Sequence, residues 1–221
     1  YLIITSNSLL SSFNELIEWK RIKGIRTEAI SVDSICNKYT GNTIQQKIKN
    51  CLYDYYANRG LKYVLLGGDD TVLPVQYCYA KVGSTVTSHM PSDLYYGCFS
   101  GDFEWDRDGD GIVGEIADGV DFSPSIYISR LPIRTQEHVI AYLNKLISYE
   151  KYPLSKPWHN EILMAGVMFQ KKLDTGQSDA EVKADNLYEN YIRPYWPGNR
   201  VKFFDTNTDF PGGNSYHLNV Q

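Results

Sequence analysis

The sequence predicts an α/β fold: a mostly parallel sheet with flanking helices, followed by the start of a second α/β unit. Three observations carry this expectation. Short, nearly continuous apolar runs such as Leu2-Ile3-Ile4 and Val64-Leu65-Leu66 have the composition of buried strands. The segments between them place apolar residues at a helical period. The spacing leaves one helix for each crossover, as right-handed βαβ units require.

Taken in order, Tyr1 to Thr5 reads as the first strand. Ser6 to Lys23 reads as a helix, because Leu9, Leu10, Phe13, Leu16, Ile17 and Ile22 recur near a period of 3.6 and Gly24 supplies the stop. Arg26 to Val32 is the second strand, and Asp33-Ser34 is expected to open a short turn. Thr43 should cap a helix reaching about Asn58, whose apolar side carries Ile44, Ile48, Cys51, Leu52 and Tyr55. Leu61 to Leu66 is the third strand. Gly67-Gly68-Asp69-Asp70 follows its carboxyl end, where open α/β sheets place binding groups.

The alternation then breaks. Thr71 to Asp121 reads as short strands and loops, Ser125 to Arg130 as a returning strand, and Thr135 as the cap of a helix to about Lys151 with Val139, Ile140, Leu143, Leu146 and Ile147 on its apolar side. After Pro153 and Pro157 a second alternation begins. It comprises a strand at Glu161 to Met168, a helix from about Ser178 to Ile192, a strand at Val201 to Phe204 and a short helix near Asn214 to Val220. Residues 1–155 are therefore read as one α/β subdomain and 156–221 as the opening of a second. Two strands are too few for an independent α/β domain.

Composition removes several function classes. With 221 residues, a net charge of −4 and a pI near 5.6, the chain lacks the basic face that nucleic acid or an anionic membrane would require, and it has no Lys/Arg run. No apolar stretch approaches a membrane span and no signal-peptide pattern is seen, so any export signal or pro-segment is expected to have been removed or to lie outside this stretch. The opening strand lacks an initiator Met, which reads as part of something longer. Cys36, Cys51, Cys78 and Cys98 form neither a CxxC pair nor a zinc pattern, so buried free thiols are expected. The 18 tyrosines suit a polar-tipped core and decide nothing alone.

The strongest motif is the run from Trp105 to Glu115, Trp-Asp-Arg-Asp-Gly-Asp-Gly-Ile-Val-Gly-Glu. Asp106, Asp108 and Asp110 at alternate positions on one turn repel each other unless a divalent cation neutralises them. Side-chain oxygens of Asp106, Asp108, Asp110 and Glu115 with the backbone carbonyl of Ile112 make a plausible Ca2+ shell, and Asp118 or Asp121 stand near enough in sequence to add acceptors. It is not a full EF-hand: the twelfth position from Asp106 is Ala117, and no amphipathic helix precedes the loop. Magnesium fits less well, since it usually retains waters. The bland alternative is a solvated turn of Asp-Gly pairs.

The order of signals adds a resemblance. Trp19-Lys20 with Gly24, Leu65-Leu66-Gly67-Gly68-Asp69 with Pro74, Ser92-Asp93-Leu94-Tyr95-Tyr96, the acidic loop, and Ile128-Ser129-Arg130-Leu131-Pro132 before a helix carrying Asn144-Lys145 and Tyr149-Glu150 together resemble the gingipain family of cysteine peptidases. The match runs from about Tyr1 to Tyr152, and the part from Glu161 onward is similar to the start of that family's second subdomain. The resemblance implies a caspase-like catalytic unit of two subdomains, secreted or on a bacterial surface, stabilised by calcium and acting on polypeptides. It also implies a His/Cys dyad, with the His in a His-Gly pair. No such pair occurs: His89, His138, His159 and His217 precede Met90, Val139, Asn160 and Leu218. The dyad is thus expected beyond residue 221, in the remainder of the catalytic domain, and this stretch alone is expected to be inactive. A non-catalytic calcium-binding surface module is the competing reading. A nucleotide site at Gly67-Gly68 is disfavoured, because no G-x-G-x-x-G or P-loop is present and two acids follow.

Other polar residues have structural expectations. Asp69 and Asp70 read as turn residues, Asp93 as an Asx-turn, and Arg130 as a partner of Asp121 or Asp69. Tyr191, Tyr195 and Trp196 beside Pro194 and Pro197 read as packing. A pairing of Cys98 with His89 would rest on proximity in sequence alone.

Overall fold

The computed structural model describes residues 1–101, 103–153, 157–166 and 179–204, of which residues 157, 203 and 204 are described by backbone alone. Two compact units divide the chain, Tyr1–Tyr152 and Pro153–Gln221. The first is built on β1 (Leu2–Thr5), β2 (Glu28–Ser31), β3 (Tyr63–Gly67) and β6 (Tyr127–Leu131), in the spatial order β2-β1-β3-β6 and all parallel. The α/β class with a mostly parallel sheet is therefore the observed one.

Strand alternation explains why both faces need helices. Leu2, Ile4, Val64 and Leu66 point to one face and pack with Ile35, Ile48, Cys51 and Leu52 of α3 (Val32–Lys38) and α4 (Ile44–Arg59). Ile3 and Leu65 point to the other. There they meet Leu9 of α1 (Asn7–Leu10), Leu16 and Ile17 of α2 (Asn14–Ile22), and Val139, Leu143 and Ile147 of α5 (Gln136–Lys151). Phe13, in a 3-10 turn between α1 and α2, fills the same layer.

Local chemistry fixes the helix starts. The Thr43 hydroxyl accepts from the Gln46 N–H at 3.1 Å and the Thr135 hydroxyl from the His138 N–H at 3.4 Å, as N-caps do. α4 ends on Gly60 at φ +68°, a left-handed C-cap. The expected turn at Asp33-Ser34 is instead the first turn of α3. Ser31, at the end of β2, accepts from the Ser34 N–H at 3.2 Å and starts a helix with no intervening loop. The expected helix Ser6 to Lys23 is interrupted by the 3-10 turn Ser11–Phe13.

The long insert between β3 and β6 holds an antiparallel hairpin, β4 (Gln76–Val82) with β5 (Thr85–Ser92), and then the acidic loop. In the second unit β7 (Glu161–Gly166) pairs in parallel with β8 (Asn199–Phe204), and α6 (Asp179–Leu187) continues into a π-helical turn, Tyr188–Ile192. Tyr191 and Tyr195 are 67% and 87% exposed, which corrects the packing expected of them. The helix expected near Asn214 to Val220, His217 included, lies outside the described residues.

Candidate metal centre

The acidic loop is built around one buried carboxylate. Asp118 is 0% exposed, and its two oxygens accept three backbone N–H groups: Arg107 at 2.6 Å, Gly114 at 3.0 Å and Glu115 at 3.0 Å. It thereby ties both ends of the loop together. The base is closed again by the Gly114 N–H, which also donates to the Trp105 carbonyl at 2.6 Å. Trp105 sits at φ +61°, a left-handed conformation that an aromatic residue adopts only where its surroundings impose it. Its indole is 1% exposed and packs edge-on against Tyr95 and Phe122, with ring centroids 5.6 and 5.3 Å away.

Above this base the loop turns on its own carboxylates. Asp106 accepts from the Gly111 N–H at 3.2 Å, Asp108 from Asp110 at 3.3 Å and Asp110 from Ile112 at 2.7 Å. Gly109 and Gly111, at φ +74° and +85°, supply the left-handed steps between them. One oxygen each of Asp108, Asp110 and Glu115 lie within 4.8 Å of one another, and so do one each of Asp106, Asp108 and Asp118. Calcium–oxygen bonds of about 2.3–2.6 Å place two ligands of one ion no more than about 5 Å apart, so both triads fit that cation. Desolvation first, then the charges of Asp110, Asp108 and Asp118, raises the Glu115 carboxyl above its usual range. A divalent ion would remove the like-charge part of that cost.

The structure thus brings Asp108, Asp110 and Glu115 together in one triad and Asp106, Asp108 and Asp118 in another, with Asp108 shared, and the Ile112 N–H donates to Asp110. It places Asp118 under the loop as the tie between its ends. Asp121 turns away, accepting from the Ser100 hydroxyl at 2.7 Å and the Ser123 N–H at 2.9 Å.

At the carboxyl end of the sheet, Arg130 of β6 pairs with Asp93 and not with Asp121 or Asp69. Nε and Nη2 each reach an Asp93 oxygen at 2.7 Å, while Nη1 donates to the carbonyls of Gly68 and Leu73, both at 2.8 Å. This fork corrects the Asx-turn expected of Asp93 and pins the loop after β3. Asp69 does make the expected turn, accepting from the Thr71 N–H at 3.0 Å, and it also pairs with Arg134. The Gly67-Gly68 pair answers to packing. A Cβ on Gly67 would lie 2.7 Å from the Phe13 ring, and one on Gly68 would lie 2.6 Å from Val72. A cavity of about 340 Å³ opens beside Asp69, Asp70, Asp93 and Arg130.

None of the four thiols has the setting of a nucleophile. Cys51, Cys78 and Cys98 are buried and Cys36 is half-buried, all free. Burial pushes Cys51 up to about 12 and Cys78 to about 11, and raises Cys98. His89 is exposed, with Nδ1 3.2 Å from the Ser88 hydroxyl, whereas Cys98 is 0% exposed in the core.

Sequence reasoning passed over Lys49. It is 0% exposed, one position beyond Ile48 on α4, and its ammonium lies 4.1, 4.7 and 5.3 Å from the ring centroids of Tyr95, Phe103 and Trp105. A lysine bordering the apolar stripe of a helix is the one local sign of it, and that position is ordinarily solvated.

Comparison with known proteins agrees along nearly the whole chain. The family model described as Peptidase family C25 matches residues 1–219. Gingipain R2 of Porphyromonas gingivalis is 25% identical over 206 residues, covering 92% of this chain and 24% of that protein. Gingipain R1 of the same organism is 25% identical over the same span, covering 18% of its length. The chain thus spans about a quarter or less of these relatives. Among solved structures, the complex of Porphyromonas gingivalis RgpB pro- and mature domains aligns at a TM-score of 0.59 and 24% identity, over 96% of this chain and 42% of that one. The Arg specific cysteine proteinase gingipain R aligns at 0.61 and 22%, over 96% and 41%. At those identities the structures speak to the fold.

Proposed function

The chain belongs to peptidase family C25, a family of cysteine peptidases, and from that membership we propose that it is the amino-terminal part of a secreted or surface-bound, calcium-stabilised cysteine endopeptidase of the gingipain type. Its substrate is polypeptide. Residues 1–155 form the first subdomain with the cation loop, and 156–221 begin the catalytic one. No helix among the described residues is long and apolar enough to cross a membrane.

The observation that carries this reading is a family match from residue 1 to 219 in a chain with three of its four thiols buried and Cys36 half-buried. A thiolate nucleophile needs an imidazole to take its proton and amides to receive the oxyanion. Cys51, Cys78 and Cys98 are buried, burial raises all three thiols, and no His-Gly pair occurs in the sequence, so the dyad is expected in the remainder of the catalytic domain. Calcium would be held by Asp106, Asp108, Asp110 and Glu115 with the Ile112 carbonyl, and it would supply neutralisation of a repelling cluster, not chemistry. The closeness of the Asp108, Asp110 and Glu115 oxygens supports that assignment.

A thiol-directed covalent peptidase inhibitor, applied to the full-length protein and followed by peptide mapping, tests the catalytic part. The label is expected outside Cys36, Cys51, Cys78 and Cys98. Label on one of those four would overturn the assignment, and absence of both label and peptide turnover would favour the non-catalytic calcium module.

For the metal, Asp108→Ala/Asp110→Ala should abolish calcium binding. At calcium a hundredfold above Kd the parent gains about 2.7 kcal/mol, roughly 5–10 °C in Tm, which the variant should lose. An unchanged Tm of the parent with and without chelator would defeat the metal assignment.

A further inference from the structure

Burying an ammonium is costly unless the site compensates it closely. Lys49 projects from α4, a sixteen-residue helix capped at both ends, into a box of three aromatic rings, and it donates to the Phe103 carbonyl. The rings belong to the chain leading into the cation loop. Trp105 immediately precedes Asp106, holds the left-handed backbone that starts the loop, and receives the Gly114 N–H that closes it. The box is tight on the far side as well: a Cβ on Gly114 would lie 3.3 Å from the Trp105 ring. Cation–π contacts are worth more when desolvated, so this lysine fixes the ring positions strongly for one side chain.

We propose that Lys49 is a positioning residue for the cation loop, fixing Trp105, and through it Asp106 and the loop base, against α4. The inference rests on the calcium assignment above. Because loop order and cation binding then share one free-energy balance, calcium in the loop should in turn hold the aromatic box closed over Lys49.

The test is a calcium titration by calorimetry on the parent and on Lys49→Met, with Tm measured in calcium and in chelator. The variant is expected to bind with unchanged stoichiometry and about tenfold weaker affinity. Its calcium-dependent rise in Tm should shrink below the parent's, beyond any loss common to both conditions. A purely structural lysine would lower both melting temperatures equally and leave affinity alone, which would overturn the inference while sparing the metal site. If the parent binds no calcium, both fall together. Should Lys49→Met fail to fold, amine-reactive labelling of the parent decides the point: Lys49 should be modified more slowly with calcium than with chelator, and equal rates would sink the coupling.

Discussion

Asp118→Ala removes the acceptor that joins the two ends of the acidic loop, and its effect can be worked from the three hydrogen bonds it breaks. Gly114 is buried, so its N–H is left with only the Trp105 carbonyl. The N–H groups of Arg107 and Glu115 belong to more exposed residues and can regain water in part. Bonds to a charged acceptor contribute about 1.5–3 kcal/mol each, and recovered hydration offsets some of this, so the loss should be about 3–5 kcal/mol. In a domain of this size that is roughly 8–15 °C in Tm. Asp118→Asn should cost about 2 kcal/mol, since one oxygen can still serve one side while the amide nitrogen faces donors on the other. The assay is thermal unfolding by circular dichroism in chelator, where calcium binding makes no contribution. A fall in Tm below about 2 °C for the alanine variant would refute the claim that Asp118 organises the loop.

The Glu150 carboxylate is held down to about 2: desolvation works against its charge, but bonds from Lys23 at 2.9 Å, Trp19 at 2.5 Å and Lys20 at 3.3 Å outweigh it. A depressed carboxyl adds stability above its unfolded value near 4.5 that is lost as pH falls toward 2, so the parent should exceed Glu150→Gln at pH 7 and the gap should close across that window; a gap independent of pH would count against it. Arg130→Met strands Asp93 and the carbonyls of Gly68 and Leu73, and should cost about 2–4 kcal/mol by denaturant unfolding, discounted for partial exposure. Adding Asp93→Asn should recover part of that loss, whereas strictly additive losses would show the pair is not coupled.

The parts legible from sequence are those decided locally. Leu2-Ile3-Ile4 needed only its own composition to read as a strand, and Thr43 and Thr135 announced their helices because a cap acts within three residues. The acidic loop's turns were legible for the same reason, since each Asp accepts from a backbone N–H a few residues on. Distant partners were not. Arg130 lies 37 residues from Asp93, and the choice among acidic partners is made by where β6 comes to rest beside β3. Asp118 read only as an added acceptor for the cation, and nothing local showed that it also faces three backbone donors. Asp33-Ser34 read as a turn because Ser31, the true cap, also ends the preceding strand.

The insert between β3 and β6 also bears on the order of assembly. β1, β2 and β3 are joined through short helical crossovers, but β6 can take its place at the sheet edge only after about sixty intervening residues have been gathered in. Loop closure costs about 0.6 kcal/mol for each doubling of the chain to be closed, and the effective length shrinks if the hairpin and the Asp118 tie form first. The slow step in building this sheet should then be docking of its last strand, visible as amide protection arriving later at Tyr127–Leu131 than at Leu2–Thr5 in pulsed hydrogen exchange; simultaneous protection would argue for a single concerted step. A folding chain would keep β3 as an open edge until the acidic loop had taken shape, which places the loop among the determinants of how long an aggregation-prone edge is exposed.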